Sequence, residues 1–196
     1  VIRIAQEHKS KFILLGRSVF SSDEPSWASG ITDEAALKKA AMQALIAAGD
    51  KPTPVKVMQF IKPIFANREI SQTLNAIKAA GGQAEYVASD VTDVASVQAA
   101  VNPLIAKFGQ VTGIIHSAGV LADKFIEQKT LSDFEAVYST KIDGSLSMLS
   151  VTEQSELKHL VLFSSAAGFY GNPGQSDYSI ANDILNKTAY RFKALH

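Results

Sequence analysis

The sequence predicts a doubly wound α/β fold, in which a parallel sheet carries helices on both of its faces. From Lys11 onward, short apolar segments alternate with helical segments in the order strand then helix, four times in succession. The apolar segments are continuous rather than alternating, which is typical of strands that are buried on both faces. Helices are the usual connections between parallel strands, so the two observations predict the same architecture.

Each strand and helix is predicted from its pattern of apolar residues and from the glycine or polar residue that ends it. The four predicted strands are KFILLGRS, AEYVASD, VTGIIHSAGV and LKHLVLFSS. The predicted helices cover residues 1–8, 33–48, 67–80, 94–108, 132–149 and 178–194. Residues 19–32 predict an exposed loop. The three prolines of DKPTPVKVMQFIKP (50–63) predict a linker or an inserted arm.

Composition excludes several classes of function. The 196 residues include 19 basic and 19 acidic side chains, so no net charge would attract the chain to nucleic acid or to an anionic membrane. The sequence has no cysteine, which excludes disulfides and thiolate metal sites, and we expect no metal site of another kind. No apolar run approaches the ~20 residues that span a bilayer. We therefore expect one cytoplasmic domain that binds neither nucleic acid nor membranes.

In doubly wound folds, ligands bind beyond the carboxyl ends of the strands. Small, polar or charged residues follow all four predicted strands, namely Arg17 and Ser18, Asp90 and Val91, Ser117, Ala118 and Gly119, and Ser164 and Ser165. Arg17 is placed where the adenosine ribose of a dinucleotide would bind. Its planar guanidinium would pair with the 2′-phosphate of NADP, although an ordinary surface arginine is the alternative. Asp90 would accept a hydrogen bond from the adenine or would cap the following helix, for which Thr92 and Asp93 compete.

The segment SSAAGFYGNPGQSDYSIAND (164–183) places a phenol just after a glycine-rich turn. Tyr178 follows Ser165 by thirteen residues, and Asn182 lies one helical turn after Tyr178. A phenol that acts as a general acid near neutral pH needs a nearby cation, because its ordinary pKa is ~10. Lys141 could supply that charge from an earlier helix. The alternatives are a packed tyrosine at a helix start and a solvated lysine.

Taken together, FSSAAGFYGNPGQSDYSIAND, HSAGVLADKF and YSTKIDGSL resemble the ketoreductase domains of polyketide and polyunsaturated fatty acid synthases. These domains belong to the short-chain dehydrogenase/reductase superfamily, which has a Rossmann-like fold. The resemblance implies that Tyr178 is the proton donor and that Ser165 holds the substrate carbonyl oxygen, with Ser164 as its adjacent alternative. Lys141 and Asn182 complete the tetrad. Most of the superfamily has its lysine four residues after the tyrosine, whereas the synthase domains show the exchange present here.

The resemblance also implies a cofactor and partners. It implies NADPH, an acyl carrier protein that presents the acyl chain on a phosphopantetheine arm, and neighbouring synthase domains. Asp123, after the HSAG turn, matches the last position of a Leu-Asp-Asp stretch and would guide the arm into the cleft. The middle aspartate is replaced by Ala122, and Tyr170 stands where the opposite stereochemical class has tryptophan. These residues favour the D-hydroxy (3R) product, although Asp123 could be an ordinary loop acid.

Two features set this chain apart from a complete domain of the family. We expect residues 1–196 to be a partial ketoreductase domain that lacks the first strand and its glycine-rich phosphate loop. Residues 19–66 are expected to be an insertion or linker. The favoured function is NADPH-dependent reduction of a β-ketoacyl thioester, although this fragment alone could be inactive. The alternatives are a non-catalytic structural half-domain and a free-standing 3-oxoacyl carrier protein reductase.

Overall fold

The computed structural model describes residues 1–152 and 156–195, which form two compact units. The first unit, Val1–Ala88, contains α1 (Ile2–His8), β1 (Lys11–Gly16), α2 (Glu34–Ala47), α3 (Pro54–Ala79) and β2 (Gln83–Ala88). The second unit, Ser89–His196, contains α4 (Val94–Phe108), β3 (Gly113–His116), α5 (Leu131–Leu149), β4 (His159–Leu162), α6 (Ala167–Tyr170) and α7 (Ser176–Leu195). The predicted α/β class and all four predicted strands are confirmed.

The described strands pair in parallel within each unit. β1 pairs with β2 in a register that sets Lys11 opposite Gln83, and β3 pairs with β4 with Gly113 opposite His159. Among the described residues these pairs are two separate two-stranded sheets. Both pairs are parallel, as the predicted fold class requires.

Most of residues 50–63, predicted as a linker or an inserted arm, belong to the long helix α3, which excludes an irregular linker. Pro54 opens α3, and the hydroxyl of Thr53 accepts the amide of Lys56 at 3.3 Å, which caps the helix. Pro63 lies inside α3 even though proline removes an internal hydrogen bond. Apolar residues recur at helical spacing around it and are buried, namely Val57, Ile61 and Ile64. This burial favours one continuous helix in place of the separate helix predicted over 67–80.

Residues within 19–66 pack against one another, and the prediction of an exposed loop over 19–32 is wrong near its centre. Ala28 is fully buried, and Trp27 stacks on Phe60 with ring centres 5.1 Å apart. Arg68 ties the same loop to α3, because its guanidinium donates to Glu24 and to two backbone carbonyls. The loop, α2 and α3 therefore share a hydrophobic core of their own.

In the second unit, α5 and α7 pack against each other through Ile142, Ala181 and Leu185. α7 begins at Ser176, two residues earlier than predicted. The short helix α6, which was predicted only as part of a glycine-rich turn, lies close to α7. A Cβ atom at Gly168 would lie 2.9 Å from Asn182, so only glycine allows α6 to approach this closely. None of the described helices is both long and apolar enough to cross a membrane.

Candidate active site

The four predicted tetrad residues all lie in the second unit. α5 starts at a capping box, in which Thr130 and Asp133 exchange hydrogen bonds, and it carries Lys141 toward α7. The Lys141 side chain is only 3% exposed, and its Nζ donates to the carbonyl of Phe163 at 3.0 Å. That Nζ lies 5.3 Å from the centre of the Tyr178 ring. Burial lowers the pKa of the Lys141 ammonium.

Asn182 is held one turn after Tyr178 on α7. Its Nδ2 donates to the Tyr178 carbonyl at 2.7 Å, and the residue is fully buried. Its Oδ1 is also buried and has no hydrogen-bond partner among the described residues. A buried acceptor without a partner costs free energy, roughly 1–3 kcal/mol. Asn182 therefore has one acceptor left for a group that the protein itself does not supply.

The two adjacent serines have different partners. Ser164 Oγ donates to the Asn182 carbonyl at 3.1 Å, which occupies its proton. Ser165 Oγ accepts the Ala167 amide at 3.2 Å, so its own proton remains available to a ligand. Among the described residues, no hydrogen bond joins Ser165 to Tyr178. The structure brings Lys141 and Asn182 into contact with Tyr178 directly, and it places Ser165 at the end of the neighbouring strand segment.

His116 is a site residue that the sequence analysis missed. It is 2% exposed, and its Nε2 donates as N–H to the Lys141 carbonyl at 2.9 Å. Burial is the main cause of the lowered pKa of the imidazole, and the nearby Lys141 charge adds to it. A Cβ atom at Gly144 would lie 3.1 Å from the His116 ring, so this glycine lets α5 approach β3. The histidine of the motif HSAG was the available signal, but the sequence analysis interpreted this motif only as a glycine turn.

The predicted cofactor-binding residues Arg17 and Ser18 lie in the first unit. They line a cleft of about 270 Å³ together with Tyr86 and Glu69. Tyr86 Oη donates to the Ser18 carbonyl at 2.7 Å, which fixes the turn after β1. Among the described residues, Arg17 makes no ion pair. A cation without a carboxylate partner beside a fixed turn fits a phosphate, although the Glu69 carboxylate lines the same cleft.

The remaining predicted cofactor-binding residues lie in the second unit. Asp90 Oδ1 accepts from the amide of Thr92 at 2.9 Å and from its hydroxyl at 2.8 Å, whereas Asp93 caps α4. The alternative of Asp90 as the helix cap is therefore wrong. Val91 packs beside α5, since its Cγ2 would lie 3.0 Å from a Cβ atom at Gly144.

The turn Ser117, Ala118 and Gly119 follows β3 directly. A Cβ atom at Gly119 would lie 3.5 Å from Lys141 Nζ, so this turn approaches the tetrad lysine. The turn therefore lies in the same unit as the tetrad and beside it.

Asp123 directly precedes Lys124, which lines a cleft next to the start of α7. Its Oδ2 accepts from Gln175 Nε2 at 2.8 Å, and Lys124 N donates to the Gly174 carbonyl at 3.0 Å. The cleft has a volume of about 290 Å³ and includes Phe125, Ile126 and the start of α7 in its lining. Asp123 thus holds the loop against the turn before Tyr178. Within residues 1–152 and 156–195, no cluster of three or more His, Asp or Glu side chains could hold a metal ion.

Three comparisons with known proteins agree with this geometry. The family described as "KR domain" matches residues 1–195. A polyunsaturated fatty acid synthase polypeptide of Thraustochytrium sp. is 48% identical over 183 residues, which is 90% of this chain and 6% of that protein. Polyketide synthase PksL of Bacillus subtilis is 36% identical over 113 residues, which is 58% of this chain and 2% of that protein.

A solved ketoreductase structure is also similar to this chain. The crystal structure of an N-terminal ketoreductase from the macrolactin assembly line superposes with a TM-score of 0.63 at 28% identity. It matches 94% of this chain and 29% of that chain. The chain therefore spans 2–6% of the length of these two curated relatives and less than a third of this solved structure.

Proposed function

The chain belongs to the KR domain family, the ketoreductases of the short-chain dehydrogenase/reductase fold, and from this premise we propose its reaction. It reduces a β-ketoacyl thioester on an acyl carrier protein to the β-hydroxyacyl thioester, with NADPH, as part of a polyketide or polyunsaturated fatty acid synthase. The observation that carries this proposal is the placement of the Lys141 ammonium 5.3 Å from the ring centre of Tyr178. That contact provides the cation that a tyrosine general acid needs.

Tyr178 is the proton donor in this proposal. As the β-carbonyl is reduced, its oxygen gains negative charge and takes the phenolic proton. The phenol oxygen becomes anionic in turn, and the nearby Lys141 ammonium stabilises that charge. Because Lys141 is 3% exposed, little water screens the interaction. The backbone carbonyl of Phe163 holds the ammonium in place from the other side.

Ser165 stabilises the carbonyl oxygen of the substrate. Its Oγ accepts the amide of Ala167, so the hydroxyl proton is free to be donated to a substrate oxygen. A donor that is already positioned costs no reorganisation when charge develops on that oxygen. Ser164 is less suited to this role, because its proton is donated to the Asn182 carbonyl.

Asn182 completes the site as an acceptor. Its amide nitrogen is used by the Tyr178 carbonyl, whereas its Oδ1 is buried and has no partner among the described residues. The unpaired oxygen suits a water molecule that would return a proton toward Lys141 and Tyr178 after each turnover. A proton from solvent would then restore the Tyr178 phenol before the next turnover.

Within each unit, the residues present suit one part of a nicotinamide dinucleotide, and bound NADPH would supply the hydride to the β-carbon. Arg17 and Ser18 would hold the ribose 2′-phosphate. Asp90 and Val91 would contact the adenine, and the Ser117–Gly119 turn would bring backbone groups close to the rest of the cofactor. The support for these roles is the strand-end position of each residue, together with the absence of an ion pair at Arg17 among the described residues.

The acyl carrier protein and the neighbouring domains are proposed from the relatives, which are synthases in name and far longer than this chain. Asp123 would meet the phosphopantetheine arm at the cleft mouth. Its carboxylate already accepts from Gln175, so it would act with one remaining oxygen. The apolar side chains of Phe125 and Ile126 would contact the acyl chain.

The rival functions are a non-catalytic half-domain and a free-standing 3-oxoacyl carrier protein reductase. A scaffold has no need for a buried lysine beside a tyrosine, because burying an ammonium is costly unless its charge is used. The long packed insertion and the exchange of asparagine and lysine argue against the free-standing reductase.

The test uses the complete native polypeptide with a β-ketoacyl thioester of a short carrier mimic. We expect NADPH to be consumed and an equal amount of β-hydroxyacyl thioester to form. A folded polypeptide that consumes no NADPH, and whose cofactor affinity does not respond to Arg17→Ala, would favour the scaffold instead.

A further inference from the structure

Lys129 and Asp177 form a buried ion pair next to Tyr178. Lys129 Nζ lies 2.7 Å from Asp177 Oδ2, and the two side chains are 6% and 1% exposed. Lys129 Nζ also donates to the carbonyl of Ala122 at 2.8 Å. Asp177 Oδ1 accepts the amide of Tyr178 at 2.8 Å. Both carboxylate oxygens therefore have partners, and the ammonium has two.

The pair connects the loop before α5 to the first turn of α7. Two other contacts join the same segments, namely Lys124 N to the Gly174 carbonyl and Gln175 to Asp123. The Gln175 contact is solvent-exposed, whereas the ion pair is shielded from water. Charged groups interact more strongly where water is excluded. The ion pair is therefore the water-shielded contact that joins this loop to the start of the helix that carries Tyr178.

We propose that Lys129 and Asp177 are positioning residues for the reduction, which hold the backbone of Tyr178 in place. This inference rests on the proposed function, since it concerns the same proton donor. The Asp177 carboxylate accepts the Tyr178 amide, and the Lys129 ammonium holds that carboxylate against the loop before α5. An apolar pair of similar size could join the two segments, but it could not accept the Tyr178 amide.

The experiment compares Lys129→Met and Asp177→Asn in the complete native polypeptide with Lys187→Met, whose lysine is exposed on α7. Each of the first two substitutions breaks the buried ion pair. If the pair holds the Tyr178 backbone in its catalytic position, both variants should lower kcat about tenfold and leave the KM values for NADPH and the thioester unchanged. Lys187→Met should change neither quantity. Folded pair variants with an unchanged kcat, or with a loss confined to KM, would overturn the proposal.

The double variant Lys129→Met/Asp177→Asn is neutral at both positions and guards against misfolding of the single variants. We expect its kcat to fall about tenfold with unchanged KM values, because the Tyr178 backbone is held less firmly. A double variant with unchanged kcat would contradict the proposal even if neither single variant folds. An unmodified polypeptide without turnover would contradict the proposed function itself, whereas normal turnover in the variants would contradict this inference alone.

Discussion

Lys141 on α5 and Tyr178 on α7 face each other, with the lysine Nζ 5.3 Å from the centre of the tyrosine ring. The two helices pack through a small apolar cluster that includes Ile142 and Ala181. Ile142 directly follows Lys141, and Ala181 lies three residues after Tyr178. The backbone carbonyl of Phe163, the residue directly after β4, accepts a hydrogen bond from the Lys141 ammonium and orients it. The cation and the phenol therefore come from different helices, and the packing of those helices sets their distance.

We predict that Lys141→Met lowers kcat by about 10² or more while the fold is kept, since methionine fits a buried apolar position and supplies no charge. Steady-state NADPH oxidation with a β-ketoacyl thioester measures the change. Lys187→Met is the matched control, because that lysine is 73% exposed on α7. Equal kcat values for the two variants would show that Lys141 has no catalytic role.

We predict that Arg17→Ala weakens NADPH binding much more than NADH binding, by roughly 1.5–3 kcal/mol, which is the usual contribution of a charge-assisted hydrogen bond. Only NADPH carries the 2′-phosphate. Fluorescence titration of both cofactors measures the difference, with Arg191→Ala as a control on α7. Equal weakening of NADPH and NADH would refute the assignment of Arg17 to the phosphate.

Glu69 allows a sharper version of the same experiment. It lines the cleft with Arg17, and its carboxylate would repel a phosphate. If the 2′-phosphate binds in this cleft, Glu69→Gln should improve NADPH binding and leave NADH binding unchanged.

Much of the fold could be predicted from local pattern. The four strands were identified because each is a short continuous apolar run that ends in a small or polar residue. The helix over residues 54–66 was missed because its prolines were given more weight than its periodicity, whereas burial of Val57, Ile61 and Ile64 outweighs proline in the structure. The burial of Ala28 could not be predicted, since it depends on contacts with residues distant in sequence.

The candidate site was also predicted only in part. Lys141, Tyr178 and Asn182 were found by motif, and the structure places them in contact. The partners of those residues were not found. His116 and the Lys129–Asp177 pair have no periodic or motif signal of their own, and their roles follow only from hydrogen bonds between segments far apart in the chain.

We predict that acid weakens the contact between β3 and α5 through His116. Burial lowers the pKa of this imidazole below its ordinary value of 6.5, so the unfolded state binds more protons over the interval between the two values. Stability is therefore fully present above about pH 6.5 and is lost as pH falls through the lowered value. The loss should be at most about tenfold per pH unit in the local opening equilibrium.

Hydrogen-exchange protection factors of residues 113–116 and 137–145 measure this effect. His116→Asn should lower protection at pH 8 and remove the dependence on pH, whereas the exposed His159→Asn should change neither. Protection in the unmodified protein that is constant from pH 8 to pH 5 would contradict the prediction.

We predict that the product is predominantly the D-hydroxy (3R) thioester. Asp123 directly precedes the cleft-lining residue Lys124, and its carboxylate accepts from Gln175, so we propose that it guides the substrate from that side. Chiral chromatography of the product measures the ratio. Asp123→Asn should reduce the excess of the 3R product, because it weakens the bond to Gln175. A predominantly L-hydroxy product would mean that the role given to Asp123 is wrong.

The most direct test of the central claim, that Tyr178 donates the proton in a ketoacyl reduction, is the turnover of Tyr178→Phe in the complete native polypeptide. This substitution removes one oxygen and keeps the ring. Tyr170→Phe makes the same change at a residue that is 82% exposed. We predict that Tyr178→Phe lowers kcat for NADPH-dependent reduction by about 10²–10⁴ and leaves NADPH affinity unchanged, while Tyr170→Phe has normal turnover. A Tyr178→Phe variant that reduces the thioester at the rate of the unmodified protein would contradict the account.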